Sequence, residues 1–231
     1  MNFLSRWLSQ LQATFLEQNR YLMLLEGLKN TLIITLGALL IGLAIGVVIS
    51  VVKYCGEDSV LLRPLCKLCD LYTTAVRGIP VVVLLLIFYF VIMQSSEGIT
   101  VGVVTFGINS GAYMAELIRS GIAAVDGGQM EAGRSLGLSR LKTAVHIILP
   151  QAMKNILPAV GNEMIALLKE TAVAGYVAVQ DLTRAGNLIR NNTYDAVNPL
   201  LVVALTYLFM VVCLTAALRK LETRLRRSDR R

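Results

Sequence analysis

Residues 31–52, TLIITLGALLIGLAIGVVISVV, run for 22 positions without a charged side chain and lie between Lys29 and Lys53. A helix rises 1.5 Å per residue, so about 20 apolar residues cross the hydrocarbon core of a bilayer. This one stretch therefore places the chain in a membrane. Composition agrees: 55% of the 231 residues are hydrophobic and 16% are charged, against roughly 25% charge in soluble domains. The mean hydropathy is +0.65. Two more uncharged runs follow, Ile79–Met93 and Leu200–Ala217. The first is long enough only if Leu68–Gly78 contribute, and the second needs a short extension. Thr100–Ile118 and Leu157–Val179 are further candidates, interrupted by glycines and a few charges. The expected fold is all-α: a polytopic helical bundle of five spans. Residues 1–30 carry Arg6, Glu17, Arg20, Glu26 and Lys29, and no small-residue cleavage pattern follows the long run, so the start does not read as a signal peptide. Trp7 and Phe3 beside Leu4, Leu8 and Leu11 suggest an interfacial amphipathic helix.

Charge orients these spans. Lys53–Arg77, Arg119–Lys154 and the tail from Arg219 together hold sixteen basic residues, whereas the leader, Met93–Thr100 and the connection with Arg184 and Arg190 hold five. Basic residues collect on the cytoplasmic side, so the N-terminus is expected outside and the C-terminus inside. The net charge of +7 follows from that asymmetry. Nucleic acid is a poor partner for it, because the basic residues border spans and no aromatic-interleaved patch exists. Cys66-x-x-Cys69 lies on the expected cytoplasmic side, where disulfides rarely persist. With Cys55 nearby, Cys213 in the last run and one histidine, His146, the ligands fall short of a four-coordinate metal site. Incidental buried thiols are expected.

Several polar residues sit where hydrocarbon is expected. Asn109, Tyr113 and Glu116 stand at i, i+4 and i+7, one face of a helix. Such a face turns toward a cavity or gate, or else bonds within the bundle. Glu116 and Arg119, three apart, are placed to pair. Asn162 and Glu163 lie in the fourth run, where a carboxylate needs a cationic partner or water. An ammonium-bearing solute or a basic residue of another helix would supply the cation. Lys169-Glu170 reads as a break or cavity rim. Gly42-x-x-x-Gly46 permits close helix approach. Arg77-Gly78-Ile79-Pro80 marks a boundary or kink, with Arg77 an interfacial anchor or a gate at the cytoplasmic mouth.

Between the third and fourth runs lies a polar stretch with Glu131-Ala132-Gly133, Gly137 and Ile147-Ile148-Leu149-Pro150. It reads as a helix, a glycine turn and a second stretch halted by proline, a device for docking on a soluble partner rather than a linker. The chain contains neither a phosphate-binding Gly-x-x-x-x-Gly-Lys-Ser/Thr loop nor a histidine cluster. If nucleotide drives transport, another chain binds it.

The spacing Glu-Ala-Gly, three residues, Gly, nine residues, Ile-x-Leu-Pro resembles the cytoplasmic signature of membrane subunits of ATP-binding-cassette importers. The family has a second alanine where Gly133 stands, a change that weakens helix propensity slightly. Arg77-Gly78-Ile79-Pro80, Ser110-Gly111-Ala112-Tyr113, Glu116-x-x-Arg119-x-Gly121, Gly128-Gln129, Asn162-Glu163 and Lys169-Glu170-Thr171-Ala172-Val173 resemble the branch that takes up polar amino acids. The resemblance covers about residues 25–220 and implies a type I importer permease fold. It implies a 1–24 leader, a 25–220 transmembrane domain with a coupling segment at about 125–150, and a basic cytoplasmic tail at 221–231.

By that resemblance the chain is a multi-pass subunit of the bacterial inner membrane, not an enzyme by itself. It binds no cofactor, and ATP and Mg sit on a cytosolic ATPase dimer. A second permease, identical or homologous, and an external solute-binding protein or domain complete the complex in its lipids. Glu131, Ala132, Gly133, Gly137, Leu149 and Pro150 would couple to the ATPase. Asn109, Tyr113, Glu116, Asn162 and Glu163 would line the substrate path or gate. Basic or neutral polar amino acids are favoured over acidic ones. The competing readings are a secondary transporter or channel working without an ATPase, which would show inverted repeats or an embedded ion site, and a non-transporting scaffold or sensor.

Overall fold

The computed structural model describes residues 3–56 and 59–227, and every regular element among them is helical. Hydrocarbon offers backbone N–H and C=O groups no partner, and a helix satisfies them within its own segment. The helices are α1 (Phe3–Phe15), α2 (Tyr21–Gly56), α3 (Arg63–Gly78), α4 (Val81–Ile87), α5 (Gly98–Ala123), α6 (Gly128–Ser135), α7 (Arg140–Thr143), α8 (Leu149–Glu170), α9 (Leu182–Thr193) and α10 (Asn198–Arg227). Wide π turns follow α4 at Phe88–Ile92 and α7 at Ala144–Ile148, and a 3₁₀ helix follows α8 at Thr171–Val177.

Three helices are long and apolar enough to cross a membrane: Glu17–Gly56, Gly98–Ala123 and Asn198–Leu225. Val60–Gly78 and Val81–Ile92 qualify only as a broken pair, which raises the count to four. The expected count of five is thus not met by length and apolarity. Leu68–Gly78 does not extend the second run as one helix, because Ile79 and Pro80 are extended (ψ 130° and 133°). A proline ring disfavours helical geometry in the residue before it. Leu157–Val179 is also divided. The α8 helix ends at Glu170 and carries Pro158, Glu163 and Lys169, and the chain tightens into the 3₁₀ helix at Thr171. That break falls at the expected Lys169-Glu170.

The chain forms two compact units. The first comprises Met1–Ala38, Pro80–Phe106 and Leu167–Cys213. Its polar groups stitch α2 to the segment before α9. Asn30 donates to the Gln180 carbonyl at 3.0 Å, and the Thr31 hydroxyl accepts the Leu182 N–H at 3.1 Å. The leader helix α1 is anchored by hydrogen bonds. Trp7 Nε1 donates to Asn198 Oδ1 at 3.0 Å, and Thr14 donates to Asp195 Oδ2 at 2.8 Å. The side chains of Phe3, Leu4 and Leu8, part of the expected amphipathic face, lie outside the described residues.

The second unit comprises Leu39–Ile79, Gly107–Ala166 and Leu214–Arg231. Here α2 meets α5 closely. A Cβ at Gly42 would stand 2.9 Å from Ser110 Cβ, and one at Gly46 would stand 2.9 Å from the Ala115 nitrogen. The small-residue face therefore lets a hydroxyl and a backbone press against α2. The α10 helix runs through residues 220–221 without a break. Arg230 and Arg231 and the side chains of Arg226 and Arg227 lie outside the described residues. All four cysteines are free. Cys55 and Cys213 are exposed rather than buried as expected. No group of three metal-ligating residues occurs among the described residues.

Asp195 gives the anchoring of α1 a pH dependence. Burial pushes its carboxyl up, but hydrogen bonds from Asn198, Thr14 and the backbone N–H groups of Asn198 and Val197 outweigh burial and hold it below the usual range. The folded pKa is the lower one, so the ionised, docked form is favoured above the unfolded value of about 3.9. That advantage is lost as pH falls through the folded value. Trp7 is the only tryptophan, so its emission reports the docking. The emission should hold steady down to about pH 4 and shift below it, and Asp195→Asn should remove the transition. A parent emission that stays flat into strong acid contradicts this account.

Candidate functional site

All eleven candidate residues fall in the second unit, in two groups. The first is built around α6 and α7. Asp126 Oδ1 accepts the Gly128 N–H at 2.9 Å at the start of α6, satisfying one of the donors that a helix N-terminus leaves open. At the other end, Leu138 N–H bonds the Gly133 carbonyl at 3.1 Å and Gly137 N–H bonds the Arg134 carbonyl at 3.0 Å. This pair of bonds is the Schellman closure, which needs a left-handed residue just past the cap. Gly137 provides it at φ +82°. Two residues later Ser139 accepts the Lys142 N–H at 3.3 Å and starts α7. A complete helix–turn–helix is therefore closed by local bonds alone.

Gly133 has a role that its propensity does not reveal. It is buried, and a Cβ there would lie 2.8 Å from Thr143 Oγ1 and 3.2 Å from the Ile147 side chain. The glycine lets α6 lie directly on α7 and the turn after it. Glu131 and Ala132 are exposed, as are Leu149 and Pro150. At the bend, Leu136 is 81% exposed and Leu141 is 64% exposed. Pro150 does not halt the second stretch: it occupies the second position of α8, and helical structure continues to Glu170. A proline lacks the N–H for a bond to the preceding turn and crowds the carbonyl four residues back. The wide turn at Ala144–Ile148 immediately precedes it. Gln151 donates to Gln129 at 3.4 Å, tying α8 to α6. The Arg140 guanidinium lies over the Tyr54 ring at 5.3 Å, tying α7 to the end of α2.

The second group surrounds α5. Asn109 is buried, while Tyr113 and Glu116 are half-buried. Arg119 bonds Glu116 through both Nε and Nη2, the local pairing that the spacing permits. The Arg77 guanidinium sits over the Tyr113 ring at 5.3 Å, a cation–π contact. Tyr72 donates to the Ile108 carbonyl at 2.6 Å. Glu163 on α8 accepts a hydrogen bond from Ser110 at 3.3 Å. Its neighbour Asn162 is exposed. The structure thus gathers Arg77, Ser110, Tyr113, Glu116 and Glu163 around one stretch of α5. Sequence reasoning did not assign Ser110, Tyr72, Asp126 or Tyr54 to this machinery. Only Asp126, a helix-capping type just before Gly127-Gly128, carried a local signal.

Comparison with known proteins agrees with this architecture. Residues 42–227 match the family described as binding-protein-dependent transport system inner membrane component. The chain is 37% identical over 210 residues to the arginine transport system permease protein ArtQ of Bacillus subtilis (strain 168), covering 89% of this chain and 94% of that protein. It is 34% identical over 212 residues to the glutamine transport system permease protein GlnP of Escherichia coli (strain K12), covering 88% and 93%. A solved structure, described as an amino acid ABC transporter with histidines, superposes with a TM-score of 0.83 at 39% identity. That match covers 91% of this chain and 98% of that one.

The chain belongs to this family of inner-membrane permease subunits of ATP-binding-cassette importers. It is a multi-pass protein of the bacterial inner membrane and the non-catalytic subunit of its complex. An ATPase dimer, a second permease subunit and a solute-binding protein are its partners in that family, and the ATPase holds the nucleotide.

Proposed function

We propose that this chain carries polar amino acids from an external solute-binding protein to the cytoplasm by alternating access, with Glu163 in the translocation path. Its relatives are named for arginine and glutamine transport, which favours basic or neutral polar cargo. The observation that carries the path assignment is the Ser110–Glu163 bond at 3.3 Å, made from α5 one residue on from the buried Asn109. A carboxylate and a hydroxyl facing each other inside membrane-spanning helices suit a cationic or amphoteric solute. Tyr113 under Arg77, and Glu116 held by Arg119, form the gate on the cytoplasmic side of that path, with Asn109 above them and Asn162 at the edge.

The proposed topology has five crossings, with the N-terminus outside and the C-terminus inside. The asymmetry of basic residues supports it, and so does the length of α8. Its 22 residues reach about 33 Å at 1.5 Å per residue. Its low apolarity fits a crossing whose Glu163 faces Ser110 rather than lipid. In this topology residues 1–24 are an outer leader, 25–220 the permease domain and 221–231 a cytoplasmic tail. A cysteine label at Ser96 should react only from outside and one at Ser139 only from inside. Labelling of both from one side rejects the topology.

The segment from α6 to the start of α8 seats in the ATPase. Glu131, Ala132, Leu149 and Pro150 form its exposed surface, Gly133 and Gly137 its shape, and the exposed Leu136 and Leu141 suit an apolar cleft. Closure of the ATPase dimer would move this lever as a unit, because its turn is fixed by its own hydrogen bonds. Glu131→Ala combined with Gly137→Leu should leave the protein inserted and lower solute-stimulated ATP hydrolysis roughly tenfold, since a left-handed leucine costs about 1–2 kcal/mol. Hydrolysis equal to that of the parent complex would count against the coupling assignment.

Glu163→Gln nearly keeps the side chain's shape and removes its charge. Uptake of arginine should fall roughly tenfold more than uptake of glutamine, the scale of one hydrogen bond to a charged group. Unchanged uptake of both, in a variant that inserts and binds its ATPase normally, removes Glu163 from the path. Equal loss of both assigns the carboxylate to the shared α-amino group or to structure.

A further inference from the structure

A second polar recess lies in the first unit. A cavity of about 550 Å³ opens between the 3₁₀ helix at Thr171–Val177 and α9. Its walls include Tyr176 and Leu188 on the apolar side and Asp181, Arg184, Asn187 and Asn191 on the polar side. Small-molecule sites fall in this size range. Arg184, Asn187 and Asn191 are three and four positions apart on α9, so they share one helix face.

Arg184 is half-buried and makes no ion pair among the described residues. Its Nη1 donates to the Gly175 carbonyl at 2.5 Å. A guanidinium has five N–H donors, so most of the fork remains open to the cavity. Asp181 makes no ion pair with it among the described residues. Its Oδ2 accepts the Thr183 N–H at 3.0 Å and its Oδ1 accepts the Arg184 N–H at 3.2 Å, so the carboxylate serves as the cap of α9. The side-chain amides of Asn187 and Asn191 have no protein partner among the described residues. A partly desolvated cation without a counter-ion, beside two unused amides in a concave site, is short of an anionic oxygen ligand.

We propose that this recess binds the α-carboxylate of a free amino acid, Arg184 holding it through the open side of its fork and Asn187 and Asn191 donating amide N–H groups. The inference rests on the reading of the chain as an amino-acid permease with this segment on the outer face. There the recess meets cargo arriving from outside. The two sites select by different chemistry. A carboxylate is common to every amino acid, whereas Glu163 favours a cation. An Asp or Glu side chain of a docked solute-binding protein offers the same carboxylate. Binding measured without that protein separates the two sources.

Equilibrium dialysis on the purified permease–ATPase complex, without binding protein, tests the proposal using L-arginine and its decarboxylated counterpart agmatine as probes. The parent should prefer arginine by roughly tenfold, the scale of one charge-assisted pair. Arg184→Gln should abolish that preference by weakening arginine alone, and Arg184→Lys should retain part of it. Asn187→Leu, which leaves the Arg184–Gly175 bond in place, should also reduce the preference, so a general loss of folding is separable. Glu163→Gln should weaken both probes and keep the preference for the carboxylate.

Equal binding of the two probes by the parent, no measurable binding, or an Arg184→Gln loss equal for both probes overturns the site. So does an Arg184→Gln variant that binds arginine normally but no longer docks the solute-binding protein, which assigns the carboxylate to that protein. A complex that transports no amino acid defeats the functional reading itself. A complex that transports arginine but shows no preference governed by Arg184 defeats only this recess.

Discussion

Polar side chains inside a membrane-spanning helix must find partners within the protein, because hydrocarbon supplies none. In the second unit that constraint falls on α5. Ile108 exposes a carbonyl to Tyr72, Ser110 donates to Glu163, Tyr113 lies under Arg77 and Glu116 is held by Arg119. Two of these contacts draw α3 and one draws α8 toward the same stretch, while the Glu116–Arg119 pair stays within α5. The glycines of α2 complete the arrangement by letting Ser110 and the backbone near Met114 approach without an intervening side chain. Packing and polar satisfaction therefore select the same geometry, and a substitution on α5 is felt on α2, α3 and α8 together.

The segment from α6 to α8 obeys a different logic. Its bend is closed by bonds between residues at most five apart, with Gly137 supplying the left-handed backbone and Ser139 restarting the helix. Such a unit keeps its shape when pushed from outside. Arg140 on Tyr54 and Gln151 on Gln129 then tie it to α2 and to α8. A bend that is rigid by itself and fastened to neighbouring helices can pass on a displacement without absorbing it.

In the first unit the same constraint builds a polar seam. Asn30, Thr31 and Asp181 satisfy backbone groups around the start of α9, and Asp195 gathers donors from α1 and from the start of α10. These groups are committed to structure. Arg184, Asn187 and Asn191 instead line the recess beside α9.

Local sequence was enough to read the long apolar helix of α2, the Glu116–Arg119 pair, the turn at Gly137 and the break at Lys169-Glu170. Apolar length marks the first, the helix repeat places the second, glycine's left-handed freedom allows the third and adjacent charges signal the fourth. The motif spacing also identified the family, since it records those local shapes. Tertiary structure decided the rest. Ser110 and Glu163 are 53 positions apart, and no periodicity says which helix faces meet. The burial of Gly133 against Thr143, the docking of Trp7 and Thr14 on the turn before α10, and the exposure of Cys55 and Cys213 are settled by packing between distant elements. Pro150 lies within α8 and Leu157–Val179 is divided for a related reason. A wide turn made room for the proline, and a helix whose polar side faces another helix does not have to be apolar to be long.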